Sequence, residues 1–136
     1  MDRQETLYTM ALTRIRGLSL RNALTLYRAV GGATAIFNEL PRLRKRFPEF
    51  RTKLLTALER GTADALVRAE NEMRFCETHA VKVLCLNDAA YPARLRECDD
   101  APLCLYYRGT ADLNAAHVVS IVGTRRCTEY GKDLCR

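Results

Sequence analysis

Residues 118–131, VVSIVGTRRCTEYG, join an apolar run to a glycine turn and a polar segment. The run Val118–Val122 predicts a strand, because short two-sided apolar runs are typical of sheets that helices cover on both faces. Gly123 predicts a turn, and Thr128 suits the start of a helix. This order opens a βαβ unit, which continues through a crossover helix into a parallel strand. Since the sequence stops at Arg136, we expect the chain to be part of a longer protein.

Working outward, residues 81–86 and 103–107 are two further apolar runs of strand length. Residues 1–61 instead place apolar side chains at helical spacing, which predicts a series of short helices. Their expected ends are Gly17, Gly31, Pro41 and Gly61. A longer helix is expected over about 62–79. We therefore predict an α+β chain, with a helical domain at 1–62 and an incomplete open α/β domain at 63–136.

Residues 15–23, IRGLSLRNA, predict a tight hairpin between two helices. Hairpins of the helix-hairpin-helix (SAM-like) kind direct backbone N–H groups and a helix N-terminus at a phosphate. On that interpretation Arg16, Gly17 and Arg21 are candidate DNA contacts. Ser19 stands where such hairpins carry a second glycine, so a plain αα-hairpin that only packs a small core is the alternative.

The chain carries a net charge of +6 with a pI near 9.2, which permits a polyanionic partner. Residues 1–70 hold 13 basic and 7 acidic side chains, so the positive excess lies in the first half. Its densest basic run contains Arg42, Arg44, Lys45, Arg46, Arg51 and Lys53. Of these, we consider Arg44, Lys45 and Arg46 possible secondary DNA contacts. A solvated helix face is the other interpretation of this run.

Several classes of protein are disfavoured by the sequence. No apolar run reaches the ~18 residues of a membrane span, and the polar start is unlike a signal peptide. The six cysteines lack the spacing of a zinc knuckle or a redox motif, and the two histidines are isolated. We expect reduced, mostly buried thiols in a cytoplasmic protein, with no metal site and no cofactor.

The turn that follows residues 118–122 is the strongest candidate site. Gly123 would let the backbone approach an anion, Thr124 and Thr128 offer hydroxyls, and Arg125 offers a fork for phosphate. The turn matches neither the dinucleotide fingerprint nor a Walker loop. The residues alone leave open either an anion site or a required turn with solvated arginines.

Five short motifs in order resemble the DNA-processing protein A family (DprA, also called Smf). They are Tyr91-Pro92-x-x-Leu95, Asp100-x-Pro102, Leu105-Tyr106-x-x-Gly109, Ile121-Val122-Gly123-Thr124-Arg125 and Thr128-x-Tyr130-Gly131. In fold, the resemblance implies a small helical domain, often helix-hairpin-helix-like, followed by an extended Rossmann-like domain. The specific motifs lie within residues 81–131, while the helical half matches in layout only.

In function, the resemblance implies a non-enzymatic recombination mediator of natural transformation. Such a protein binds and protects incoming single-stranded DNA, displaces single-strand-binding protein and helps to load RecA. The family's Gly-Ser/Thr-Arg turn lines a positive pocket for DNA phosphate, and Gly123-Thr124-Arg125 matches it residue by residue. The homodimer surface and the RecA contact of the family would lie beyond Arg136.

Two other functions stay open at the level of sequence. One is a Rossmann-like enzyme that binds a nucleotide or a phosphosugar at the Gly123 turn, although no acid–base constellation accompanies it. The other is a protein-interaction module at residues 1–61 whose basic face serves solubility alone. A second glycine-rich loop with a basic residue downstream would favour DNA binding over an enzyme.

Overall fold

A computed structural model describes residues 2–48, 50, 52–120, 122–123 and 126–134 of the chain. The described helices are α1 (Arg3–Arg14), α2 (Leu20–Val30), α3 (Ala33–Arg46), α4 (Thr52–Thr78), α5 (Ala93–Arg96) and α6 (Glu129–Leu134). The described strands are β1 (Lys82–Cys85) and β2 (Cys104–Tyr107). The chain is therefore α+β, mostly helical with a small sheet.

The apolar stripes of the first four helices meet in one core. Helix α1 lies at its centre and contacts α2, α3, α4 and β1. Met10, Tyr27, Ile36 and Leu58 come from four different helices and are all fully buried. Burying a large apolar side chain contributes roughly 1.5–3 kcal/mol, so these few positions account for much of the driving force. The same core continues into Leu103 beside the sheet.

Local signals place the ends of α2 as expected. The Ser19 hydroxyl accepts a hydrogen bond from the Asn22 N–H at 3.2 Å and so caps the first turn. At the other end Gly31 has a φ of +95°, which a residue with a Cβ rarely adopts. The cap of α3 is instead supplied from a distance, because the Glu5 carboxylate of α1 accepts the N–H groups of Ala33 and Thr34 at 2.8 Å each.

Two predicted helix ends are wrong. Pro41 lies inside α3, which continues because Leu43, two residues later, is fully buried in the core. Gly61 lies inside α4, where a Cβ would stand 2.9 Å from the Ile15 Cγ2 atom. The glycine thus serves the close approach of two helices and does not end one.

The predicted strands at 81–86 and 103–107 are confirmed, but they pair antiparallel. The register runs from Lys82 opposite Tyr107 to Cys85 opposite Cys104. Between the strands, the fully buried Tyr91 donates its hydroxyl to the Pro102 carbonyl at 2.7 Å. This side chain fixes the irregular connection against the core.

The predicted buried strand at 118–122 is wrong for the residues of it that the structure describes. Val118, Val119 and Val122 lie outside any strand and are 60%, 87% and 92% exposed. The described sheet contains β1 and β2 alone, so these valines pair with neither. A two-sided apolar strand is stable only between neighbours, and here it has none among the described residues.

The expected boundary between residues 62 and 63 lies inside α4, which contacts both α1 and β1. The division into two domains stays a prediction.

Of the described cysteines, Cys76 and Cys85 are buried, Cys104 is half-buried, and Cys98 and Cys127 are exposed. All five are free thiols, as expected, although fewer of them are buried than the sequence suggested.

Candidate nucleic-acid interface

The predicted phosphate-binding turn is only partly described. Thr124 and Arg125 lie outside the described residues, so their roles stay predictions. Gly123 is exposed, and a Cβ placed on it would meet nothing within 4 Å. Its φ is not in the positive range that requires glycine. No described residue therefore makes glycine sterically necessary at position 123. The open space around it allows a ligand to approach the backbone.

Thr128 has a defined structural role at the end of this turn. Its hydroxyl oxygen accepts the Gly131 N–H at 3.1 Å, and its carbonyl accepts the Lys132 N–H at 3.1 Å. Thr128 therefore caps α6, which confirms the predicted helix start. Because the hydroxyl acts as an acceptor in this cap, its proton can still be donated to an anion.

The hairpin at residues 15–19 has the expected turn. Gly17 has a φ of +84°, and the Leu18 N–H bonds to the Ile15 carbonyl at 3.3 Å. Arg16 and Arg21 flank it and are both exposed. These contacts form a tight αα-connection, and a DNA-binding role for the hairpin stays a prediction.

The basic run at the end of α3 is partly neutralised by ion pairs. Arg44 makes a two-pronged ion pair with Glu59 of α4, with both N–O distances at 3.2 Å, and also reaches the Thr56 hydroxyl at 3.1 Å. The hydrogen bond from Arg44 holds the pKa of Glu59 below its ordinary value. Arg46 pairs with Glu39. Lys45 remains exposed, with no ion pair to a described residue.

A different set of cations comes together beside the hairpin. Arg16 faces Lys53 and Arg60 of α4 across a cleft of about 500 Å³. The sequence showed Arg16 and Lys53 as parts of two separate basic segments, and Arg60 was not singled out. Lys53 and Arg60 are seven residues apart, which places them on the same face of α4. This spacing is the sequence signal that could have identified them as a pair.

Within the described residues, no helix has the length and hydropathy needed to cross a bilayer. The same part of the chain contains no group of three potential metal ligands.

Comparison with known proteins gives one match. Residues 82–136 match the family described as DNA recombination-mediator protein A, which confirms the resemblance seen in the motifs from Tyr91 to Gly131. The matched segment is less than half of the chain and begins at the first residue of β1. No curated protein and no solved structure matches the sequence.

Proposed function

We propose that this chain binds single-stranded DNA and acts in recombination without catalysing a reaction, because residues 82–136 match the family described as DNA recombination-mediator protein A. The family match is the observation that carries this proposal. It covers the Gly123 turn, where the sequence carries the glycine, hydroxyl and guanidinium that a phosphate site needs.

The local structure of the turn supports the same role. The backbone at Gly123 is open to solvent, and the N-terminus of α6 follows directly after Thr128. Backbone N–H groups at such a position favour negative charge. In our proposal Arg125 adds charge-assisted hydrogen bonds to one phosphate, and Thr128 donates its hydroxyl proton.

The wider setting is proposed from the family alone. We propose that the chain acts in a cytoplasmic bacterial mediator that protects DNA taken up during natural transformation. There it would displace single-strand-binding protein and help to load RecA as a homodimer. A helix-hairpin-helix-like domain at 1–62 and a Rossmann-like domain from residue 63 onward belong to the same proposal.

The proposal is tested by comparing Arg125→Ala with Arg126→Ala in binding to a labelled oligothymidylate, measured by fluorescence anisotropy. Neighbouring residues of a turn point in different directions, and in our proposal the functional guanidinium is that of Arg125, directly after Gly123 and Thr124. We expect Arg125→Ala to weaken binding at least tenfold, about 1.4 kcal/mol, and Arg126→Ala to weaken it less than about threefold.

The loss at Arg125 should be the same for oligonucleotides of different sequence, because phosphate contacts carry no base information. Equal losses at both arginines would reduce the turn to a general electrostatic patch. Unchanged binding by Arg125→Ala would remove the turn from the DNA site.

A further inference from the structure

The cleft between the hairpin and α4 is a positively charged concave surface among the described residues. It is lined by Arg16, Lys53, Thr56, Ala57, Arg60, Gly61 and Asp64. Three of these side chains are cationic and one is acidic. The described cleft beside α3 also contains cations, but there Arg46 is already paired with Glu39.

The spacing of residues on α4 builds one wall of this cleft. Lys53, Ala57, Arg60 and Asp64 recur every three or four residues and therefore lie on one face of the helix. Lys53 and Arg60 are exposed, while Ala57 between them is half-buried and forms part of the floor. The small floor residue leaves space between the two cations.

Close helix packing brings the opposite wall into place. A Cβ built on residue 61 would lie only 2.9 Å from the Ile15 Cγ2 atom. Glycine at this position therefore leaves room for the Ile15 side chain. Gly17 approaches the same helix, since a Cβ built there would lie 3.6 Å from the Ala57 Cβ. Arg16, between these two contacts, is thereby held at the edge of the cleft opposite α4.

The cations of the cleft differ from their neighbour Arg44. The Arg44 guanidinium donates hydrogen bonds to Glu59 and Thr56. Arg16, Lys53 and Arg60 have no ion pair with any described residue, so their charges are available to a ligand. The Thr56 oxygen accepts from Arg44, which leaves its hydroxyl proton free to be donated into the cleft.

We propose that this cleft binds the sugar-phosphate backbone of a DNA strand, as a second contact separate from the Gly123 turn. The inference rests on the proposed function for the identity of the polyanion. Several cations around a small-residue floor, with a hydroxyl donor among them, suit successive phosphates, and phosphate contacts carry no base information. Binding is therefore independent of sequence and strongly dependent on salt.

The first test removes the two cations of α4 in the full chain. Lys53→Ala/Arg60→Ala is compared with Arg68→Ala/Arg74→Ala, which changes the net charge equally at exposed positions of the same helix outside the cleft. We expect the cleft variant to bind oligothymidylate at least about tenfold more weakly at low salt, and the control to lose less than about threefold. The cleft variant should also flatten the slope of log K against log salt by about 1.4. Equal losses in the two variants would overturn the proposal.

The second test uses the acidic residue of the cleft, and its expected sign is opposite. Asp64→Asn removes a repulsion from phosphate and should strengthen binding by about two- to fivefold. Glu70→Gln, at an exposed position of the same helix outside the cleft, is the matched control and should change binding less. An Asp64→Asn variant that binds no better than Glu70→Gln contradicts the placement of phosphate in the cleft.

Amide NMR spectra of the full chain titrated with oligothymidylate separate this inference from the proposed function. Shifts at residues 53–64 and at 123–128 support both. Shifts at 123–128 alone overturn the cleft and leave the proposed function standing. Shifts at 53–64 alone support the cleft and count against the turn, and no shift at either position overturns both.

Discussion

The helical region from α1 to α4 and the described residues of the segment 117–123 contain similar apolar side chains in very different surroundings. Leu58 is fully buried between helices, whereas Val119 is 87% exposed. Both were expected to be buried from pattern alone. The difference shows that an apolar pattern leads to burial only where another element presents a complementary surface.

The largest effect should come from truncating a core residue of the helical region. Leu58→Ala leaves a cavity where α4 meets the core, and we expect a loss of about 2–5 kcal/mol in the free energy of unfolding. Val119→Ala should change it by less than about 0.5 kcal/mol, because the side chain is exposed. Urea unfolding measures both. If Val119→Ala lowered the free energy of unfolding as much as Leu58→Ala, residues 118–122 would be buried in solution. The two regions would then not differ in burial.

The contact between Ile15 and Gly61 should produce the next largest effect. Gly61→Val places a branched side chain where a Cβ alone would be 2.9 Å from Ile15, and we expect a loss of about 2–3 kcal/mol. Ala63→Val, at an exposed position of the same helix, is the control and should cost about 0.5 kcal/mol through helix propensity. Similar thermal unfolding of the two variants would show that α1 and α4 pack less closely than described.

Glu5→Gln should cost about 1–2 kcal/mol at neutral pH, because the carboxylate accepts hydrogen bonds from the start of α3 and from the Tyr27 hydroxyl. Burial alone raises the pKa of Glu5, but hydrogen bonds from Thr34, Ala33 and Tyr27 outweigh it and hold that pKa below its ordinary value. A lowered pKa stabilises the fold above the unfolded-state value, and this contribution is lost as the pH falls through the folded-state value.

The difference in unfolding free energy between wild type and Glu5→Gln should therefore shrink as the pH falls below about 4. A Glu5→Gln difference that stays constant from neutral to acidic pH would exclude the ionised carboxylate as the cap of α3.

The smallest effect concerns the thiols and involves no change in stability. Burial raises the pKa of Cys85 to about 12 and that of Cys104 to about 11, so both remain protonated. With an aromatic disulfide reagent at mild alkaline pH, Cys98 and Cys127 should react roughly a hundredfold faster than Cys85 and Cys104. In a Cys135→Ser background, Cys98→Ser/Cys127→Ser should remove the fast phase. Fast labelling of Cys85 in the native protein would show that the sheet opens readily.

Much of the secondary structure could be predicted because its signals are local. Ser19 and Gly31 mark the ends of α2, Thr128 caps α6, and the runs at 81–86 and 103–107 form β1 and β2. For the caps of α2 and α6, the deciding contact lies within a few residues of the signal. Such contacts form in the same way wherever the segment lies.

The candidate site was harder to predict from the sequence, because the cations available to a ligand depend on ion pairs between different helices. Arg44 belongs to the densest basic run, but Glu59 lies opposite it and neutralises it. Arg60 was not among the site residues predicted from the sequence, although it faces Arg16 across the cleft. A count of charges along the chain cannot distinguish a paired cation from an available one, since the partner comes from another helix.

Sequence was sufficient for the motifs that identify the family, for the α+β content and for the residue types of the Gly123 turn. Tertiary contacts were needed to show that Gly61 lies within a helix, that β1 and β2 pair antiparallel and that Val119 stays exposed. The reason is physical. Caps and turns are satisfied by neighbours in the chain, whereas a close helix contact, a strand partner or an ion pair requires a surface supplied by a distant residue.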